Sequence, residues 1–172
     1  MQIEIMSRME AIQYTYLPHK EKSIIISISE SNTPKPTFCA SSDILDILYL
    51  HFDDIYKEDL LLNPMYKIMT TKDAIKIQKF IDKYKNKVDK IIVHCYAGIS
   101  RSSAVACGIS LYLNKDDYWI WNSNGYYPNK WCLTVMNNTL NLGLSEEDIQ
   151  LKYDLLDSNK NKDILIDDNM LI

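Results

Sequence analysis

One strand–turn–helix segment constrains the fold of this chain more than any other part of its sequence. Residues 90–94 form a short apolar run typical of a buried strand, and residues 102–113 form a mostly apolar stretch typical of a buried helix. Between them lie Cys95 and Arg101, separated by five residues that include Gly98. This segment is a strand followed directly by a helix, the unit from which a largely parallel α/β sheet is built.

The rest of the hydrophobic pattern continues this alternation. It predicts further strands at residues 2–6, 22–29 and 44–52, and further helices at residues 8–17, 130–142 and 146–155. Thr70 and Asp73 form a capping box that predicts one more helix start. We therefore expect an α/β fold with a central, mostly parallel twisted sheet flanked by helices. The chain of 172 residues fits one domain, predicted at residues 1–156, with a polar, solvated C-terminal tail at residues 157–172.

Charge and cysteine usage exclude several classes of protein. A net charge of −4 gives no electrostatic reason to expect nucleic acid or a membrane surface as a partner. No apolar run approaches the length of a membrane span, and the N-terminus does not resemble a signal peptide. The four cysteines form no CxxC pair, which favours reduced thiols in the cytoplasm over a disulfide framework or a metal site. We expect no cofactor, and the sequence does not indicate an oligomeric state.

The residues from Cys95 to Arg101, called here the 95–101 loop, have the composition of an anion site. Five intervening residues are enough for the backbone to curl into a ring of N–H groups around an anion, and the following helix adds its own free N–H groups. Gly98 permits backbone angles that other residues avoid, and Arg101 offers a planar fork for two phosphate oxygens. The predicted phosphate-binding residues are therefore Tyr96, Ala97, Gly98, Ile99, Ser100 and Arg101.

Cys95 is the candidate nucleophile of this loop. A helix N-terminus and a nearby guanidinium both favour the thiolate, which is the nucleophilic form of cysteine. A phosphoryl group seated in the ring is its natural target. Ser102, directly after Arg101, is placed to donate a hydrogen bond to the sulfur when the thiolate leaves a phosphocysteine intermediate.

The residues His94, Cys95, Gly98, Arg101 and Ser102 after a strand resemble the motif of the cysteine-dependent protein tyrosine phosphatase superfamily, and in particular its dual-specificity branch. The chain also resembles a group of small predicted tyrosine phosphatases of microbes and their viruses. That resemblance is strongest over residues 44–142 and includes four short segments: Met6-Ser7-Arg8, Ser27-Ile28-Ser29, Phe52-Asp53-Asp54-Ile55 and Pro128-Asn129. The loop motif is highly specific, because strand, glycine, serine and helix all match the context that the chemistry needs.

The resemblance implies further roles. An upstream aspartate of the family protonates the leaving oxygen and later accepts a proton from water. The second residue of the acidic pair, Asp54, is the better match, with Asp53 as the alternative acid and Asp59 as a third candidate. The excess length at residues 56–69 leaves this choice open. His94 is expected to orient the loop, and Asn129 to support it.

The expected activity is that of a protein phosphatase acting through a phosphocysteine intermediate. The variable loop positions carry no Lys or Arg, which favours phosphorylated protein or peptide over phosphoinositides. No tyrosine-recognition loop is evident, so we expect a cleft that admits phosphotyrosine and also phosphoserine or phosphothreonine. The alternatives are a phosphatase acting on RNA 5′-phosphates or small phosphate esters, and a module that binds phosphoprotein without turnover. A sulfur-transfer enzyme is the least favoured.

Overall fold

The structure is a computed structural model that describes residues 1–61 and 63–168. The described residues form four strands and several helices, and β2 is followed by β3 without an intervening helix. The strands are β1 (Gln2–Ser7), β2 (Ser23–Ser29), β3 (Ile44–His51) and β4 (Lys90–Cys95). The helices are α1 (Arg8–Tyr14), α2 (Thr71–Tyr84), α3 (Arg101–Tyr112), α4 (Tyr118–Trp121), α5 (Lys130–Leu140) and α6 (Glu146–Asp168), with a short 3-10 helix at Lys57–Leu61.

The four strands form one parallel sheet in the order β1-β4-β2-β3. The predicted α/β class and the mostly parallel sheet are confirmed. Strand β4 lies between β1 and β2, so both of its edges are hydrogen-bonded. Because all the strands run in one direction, their carboxyl ends meet at one edge of the sheet, where ligands of open α/β sheets bind.

Alternate residues of the central strands face opposite sides of the sheet. Ile91 and Val93 belong to the larger core, which includes residues of α2, α3 and α5. Ile92 belongs to a smaller core with Ala11 of α1 and Ile25 of β2. Burial on both faces explains why β2 and β4 are apolar without polar alternation. It also fixes the position at which Cys95 leaves the sheet.

The last helix differs most from the expectation. Helix α6 was predicted to end at residue 155, but it continues to Asp168 through the first part of the predicted tail. The prediction was wrong because it used polar composition as a stop signal. No Gly or Pro lies between Leu144 and Asp168 to end a helix. The division of the chain into a domain at 1–156 and a tail at 157–172 remains a prediction, and residues 169–172 lie outside the described residues.

Two other helix ends also differ. Helix α1 stops at Tyr14, ahead of the predicted end at residue 17, and α5 stops at Leu140 because Asn141 adopts a left-handed conformation with φ 52°. Within the described residues, no helix is long and apolar enough to cross a membrane.

Candidate active site

The 95–101 loop connects the end of β4 to the start of α3 and packs closely against the end of β1. Gly98 has φ 78°, a left-handed conformation that favours glycine. A Cβ atom built on Gly98 would lie 2.7 Å from the backbone nitrogen of Ser7 and 2.8 Å from the carbonyl carbon of Met6. The backbone N–H of Arg8 donates to the carbonyl of Tyr96 at 3.1 Å. Gly98 is therefore required both by its backbone angle and by this close approach.

Cys95 lies at the bottom of the loop. Cys95 is buried, and its Sγ lies 3.2 Å from the Oγ of Ser102, which is also buried. Ser102 is the second residue of α3, so the helix begins directly beside the thiol. The N-terminus of a helix carries free N–H groups and a partial positive charge, which stabilise an anion at this position.

Arg101 is buried and held by groups at the ends of two other strands. Its Nη1 donates to the carbonyl of Phe52 at 3.0 Å, and its Nη2 donates to Oε1 of Glu30 at 2.5 Å. Among the described residues, its Nε has no hydrogen-bond partner. It lies 3.8 Å from Oδ2 of Asp54, which is too long for a hydrogen bond. The guanidinium is thus fixed on one side and keeps a buried N–H available for an anion.

Glu30 was not identified from the sequence. It follows β2 directly and forms an ion pair with Arg101. Burial opposes ionisation of Glu30, but the hydrogen bond and the charge of Arg101 outweigh it and hold the pKa of this carboxyl below its ordinary value. The available signal was its position as the first charged residue after the buried β2 strand.

Asp54 is connected to the 95–101 loop through one of its two oxygens. Its Oδ1 accepts hydrogen bonds from Ser100 Oγ at 2.7 Å and from Asn129 Nδ2 at 2.9 Å. The Oδ2 atom takes no hydrogen bond from either residue and is the oxygen nearer to Arg101. A carboxyl group held in this way presents one oxygen toward the site.

Asn129 links three parts of this region. Its side chain donates to Asp54, while its Oδ1 accepts from the backbone N–H of Cys132 at 2.9 Å and so caps α5. Its own backbone N–H donates to the carbonyl of Ser100 at 3.1 Å. The residue therefore connects the loop, the carboxyl group and the start of a helix.

Asp53 has different surroundings from its neighbour. It is buried, and its carboxylate accepts three hydrogen bonds, from the N–H and Oγ of Ser31 and from the N–H of Lys67. Burial raises the pKa of Asp53, but these hydrogen bonds and the charge of Arg101 outweigh that effect and lower it below its ordinary value. Asp59 accepts from the N–H of Tyr56 at 2.8 Å within a local turn. Of the three candidate aspartates, Asp54 is the one hydrogen-bonded to the 95–101 loop.

No protein-family model matches the chain, and a search of curated protein sequences finds no match. Solved structures do match it. PTPMT1 in complex with PI(5)P aligns with a TM-score of 0.52 and 14% identity, covering 88% of this chain and 94% of that chain. This is a protein tyrosine phosphatase-like fold. The human tyrosine phosphatase-like serine/threonine/tyrosine-interacting protein aligns with a TM-score of 0.48 and 22% identity, covering 72% of this chain and 80% of that chain.

His94 supports the loop of this tyrosine phosphatase-like fold from inside the protein. Its ring is fully buried, with Nδ1 3.3 Å from the carbonyl oxygen of Cys95 and its centroid 5.6 Å from that of Phe38. Burial is the main cause that lowers the pKa of His94 to about 4. The imidazole is therefore neutral at physiological pH, which agrees with an orienting role and not with proton transfer.

The rim of the site is apolar and aromatic. Tyr96 is 67% exposed and Ile99 is 45% exposed, so these variable loop positions face outward. The loop itself contributes no cation apart from the buried Arg101.

Proposed function

We propose that this chain is a cysteine-dependent protein phosphatase that hydrolyses phosphotyrosine, and also phosphoserine and phosphothreonine, through a phosphocysteine intermediate. The observation that carries the proposal is the convergence at one sheet edge of Cys95, Ser102, a fixed guanidinium with a free Nε, and a carboxyl group 3.8 Å from that nitrogen. These four groups supply a nucleophile, a donor to the sulfur, an anion clamp and a proton carrier.

In the first step the Cys95 thiolate attacks the phosphorus atom of a phosphate held by the loop N–H groups and Arg101. The S–P bond forms while the bond from phosphorus to the ester oxygen breaks. The Asp54 carboxyl gives its proton to that departing oxygen, which leaves as a phenol or an alcohol. The hydrogen bonds that hold Oδ1 leave Oδ2 to carry this proton.

In the second step water hydrolyses the phosphocysteine. The Asp54 carboxylate accepts a proton from the attacking water, the new P–O bond forms, and the S–P bond breaks to release inorganic phosphate. The sulfur departs as a thiolate. The Ser102 hydroxyl, 3.2 Å from the sulfur, stabilises this charge by donating a hydrogen bond.

The rim supports a phosphoprotein substrate. A polyphosphorylated lipid headgroup needs cations beyond the one that holds the scissile phosphate, and the exposed loop positions carry none. Exposed Tyr96 and Ile99 instead offer apolar contact to the side chains that flank a phosphorylated residue. The PTPMT1 structure contains PI(5)P, so this lipid is the sharpest competing substrate to test.

The decisive test is hydrolysis of 4-nitrophenyl phosphate without added metal, by the wild type and by Cys95→Ser. We expect turnover by the wild type and none by the variant. Asp54→Asn should lose far more activity on phenyl phosphate, whose leaving group needs the acid, than on 4-nitrophenyl phosphate. The matched control Asp59→Asn should keep the activity on both, because Asp59 makes its hydrogen bond within a local turn. A wild type that binds a phosphotyrosine peptide without turnover would instead establish a binding module.

Substrate class is tested by comparing four substrates at equal concentration: a phosphotyrosine peptide, a phosphothreonine peptide, PI(5)P in vesicles, and 5′-phosphorylated RNA. The proposal expects the highest kcat/KM on the peptides. A higher value on the vesicles or on RNA would refute the phosphoprotein assignment while leaving the phosphocysteine chemistry intact.

A further inference from the structure

We infer that Asp53 is a positioning residue. Its carboxylate holds together the two ends of the chain segment that contains Asp54, a junction called here the neck. It also ties this segment to the one that holds Arg101 in place. The catalytic consequence of this inference rests on the proposed function. The clamp itself does not, because it is defined by hydrogen bonds that can be measured in a protein without turnover.

The first part of the clamp joins the two ends of one long excursion of the chain. The N–H of Asp53 donates to the carbonyl of Lys67 at 2.6 Å, and the N–H of Lys67 donates back to Oδ2 of Asp53 at 2.8 Å. These residues are 14 positions apart. Holding the ends of such a segment together costs conformational entropy, and these hydrogen bonds offset that cost. Asp54 is the first residue inside this neck.

The second part of the clamp reaches the adjacent strand end. The N–H of Ser31 donates to Oδ1 of Asp53 at 2.9 Å, and the Oγ of Ser31 donates to Oδ2 at 2.7 Å. Ser31 directly follows Glu30, the partner of Arg101. One buried carboxylate thus connects the segment that carries the proposed acid with the segment that fixes the phosphate-binding arginine.

Asp54 needs this support because its own attachments are few. It is exposed, and its side chain accepts hydrogen bonds from Ser100 and Asn129. The next anchor, from Asn129 Nδ2 to the carbonyl of Ile55, is long at 3.4 Å. A displacement of about 1 Å at a reacting group is enough to reduce a rate by about a hundredfold. Loosening the neck should therefore act mainly on proton transfer.

The geometry separates this role from that of a general acid. A general acid needs an oxygen free to carry the proton to the substrate. Both oxygens of Asp53 already accept hydrogen bonds, from donors that favour the ionised form. Asp53 consequently acts on the reaction by positioning Asp54.

The clamp is tested by amide hydrogen exchange in the wild type, Asp53→Asn and Asp54→Asn. An Asn side chain lacks the second oxygen that the clamp uses. In Asp53→Asn we expect the Lys67 and Ser31 amides to exchange about tenfold faster or more, whereas Asp54→Asn should leave them protected. Ser31→Ala, which removes one donor and keeps the carboxylate, should also speed the exchange of the Lys67 amide, but by a smaller factor. This variant provides the test if Asp53→Asn does not fold. Unchanged exchange at Lys67 in Asp53→Asn or, where that variant does not fold, in Ser31→Ala would overturn the inference.

The positioning role is tested by leaving-group dependence. A good leaving group, as in 4-nitrophenyl phosphate, needs little protonation, whereas phenyl phosphate needs the acid. We expect Asp53→Asn to lose between about tenfold and a hundredfold more kcat on phenyl phosphate than on 4-nitrophenyl phosphate. The double variant with Asp54→Asn should be no slower than Asp54→Asn alone, within about twofold. Asp59→Asn should leave the ratio of the two substrates unchanged.

The outcomes separate the two proposals. Equal losses on both substrates that add to those of Asp54→Asn would overturn the positioning role, since they indicate a general loss of folded protein. A leaving-group effect in Asp53→Asn that is absent in Asp54→Asn would make Asp53 the acid and would also overturn it. A wild type without turnover would overturn the proposed function and the catalytic role with it, while exchange at Lys67 would still decide the clamp.

Discussion

Replacing His94 with phenylalanine is expected to flatten the decline in folding stability between neutral and mildly acidic pH. His94 is fully buried, and its Nε2 has no hydrogen-bond partner among the described residues. Burial, assisted by the charges of Arg8 and Arg101, lowers its pKa from 6.5 to about 4 against the raising effect of the Cys95 carbonyl. The folded protein therefore resists protonation at this position.

The direction in which the free energy of unfolding changes with pH follows from the protonation of His94 in the folded and unfolded states. Between pH 6.5 and about 4 the unfolded chain binds a proton at His94 that the folded protein does not, so the free energy of unfolding rises with pH across this window. The stabilisation is complete above the unfolded pKa and is lost as the pH falls toward about 4. The whole effect is about 3 kcal/mol, of which about 2 kcal/mol is lost between about pH 7.5 and about pH 5.

The assay is urea unfolding at a series of pH values, followed by the fluorescence of buried Trp121. His94→Phe loses the contact from Nδ1 to the Cys95 carbonyl, which lowers stability by about 1 kcal/mol at every pH, so the slope is the measurement and not the offset. Carboxylates with lowered pKa, such as Asp53, act below this window. His51→Gln, at an exposed position, should keep the wild-type slope. Equal slopes in the wild type and His94→Phe would refute the reasoning.

Three further substitutions test the site. Ser102→Ala should slow breakdown of the phosphocysteine about tenfold to a hundredfold and produce a burst of 4-nitrophenol. Ser110→Ala should not, because the buried Ser110 Oγ has no hydrogen-bond partner in the part of the chain that the structure describes. Gly98→Ala should abolish turnover and lower the melting temperature, because its Cβ would meet backbone at 2.7 Å; Gly125→Ala, with its nearest atom at 3.5 Å, should be tolerated. Glu30→Gln should raise the inhibition constant of inorganic phosphate about tenfold by loosening the arginine clamp, and an unchanged constant would contradict this role.

The sequence predicted the parts of the site that are local. The strand, the loop and α3 follow one another within about two dozen residues, and each has its own hydrophobic pattern, so Cys95, Gly98 and Ser102 were found together. The start of α2 was also predictable, because Thr70 and Asp73 form the expected capping box. These features depend on neighbours that lie close along the chain.

The parts that were missed depend on contacts between distant segments. Glu30 meets Arg101 from 71 positions away, and its place after β2 does not identify which distant residue it pairs with. The extension of α6 was missed for a different reason. Its composition is polar, but an uninterrupted run without Gly or Pro can continue as helix once its first turns are packed, here through buried Ile149 and Tyr153.

The two adjacent aspartates differ in their surroundings because their side chains face different strand ends at the sheet edge. Asp53 and Asp54 follow the same strand and carry the same chemical group, so the sequence left their assignment open. In the parallel sheet, β2 lies between β3 and β4, and all three strands end at the same edge. Asp53 turns to the end of β2, where Ser31 makes it a fully bonded, ionised carboxylate. Asp54 turns to the end of β4, where Ser100 leaves one oxygen free. Because a buried carboxylate with three donors is held in its charged form, the proposed mechanism assigns proton transfer to the second aspartate and not to the first.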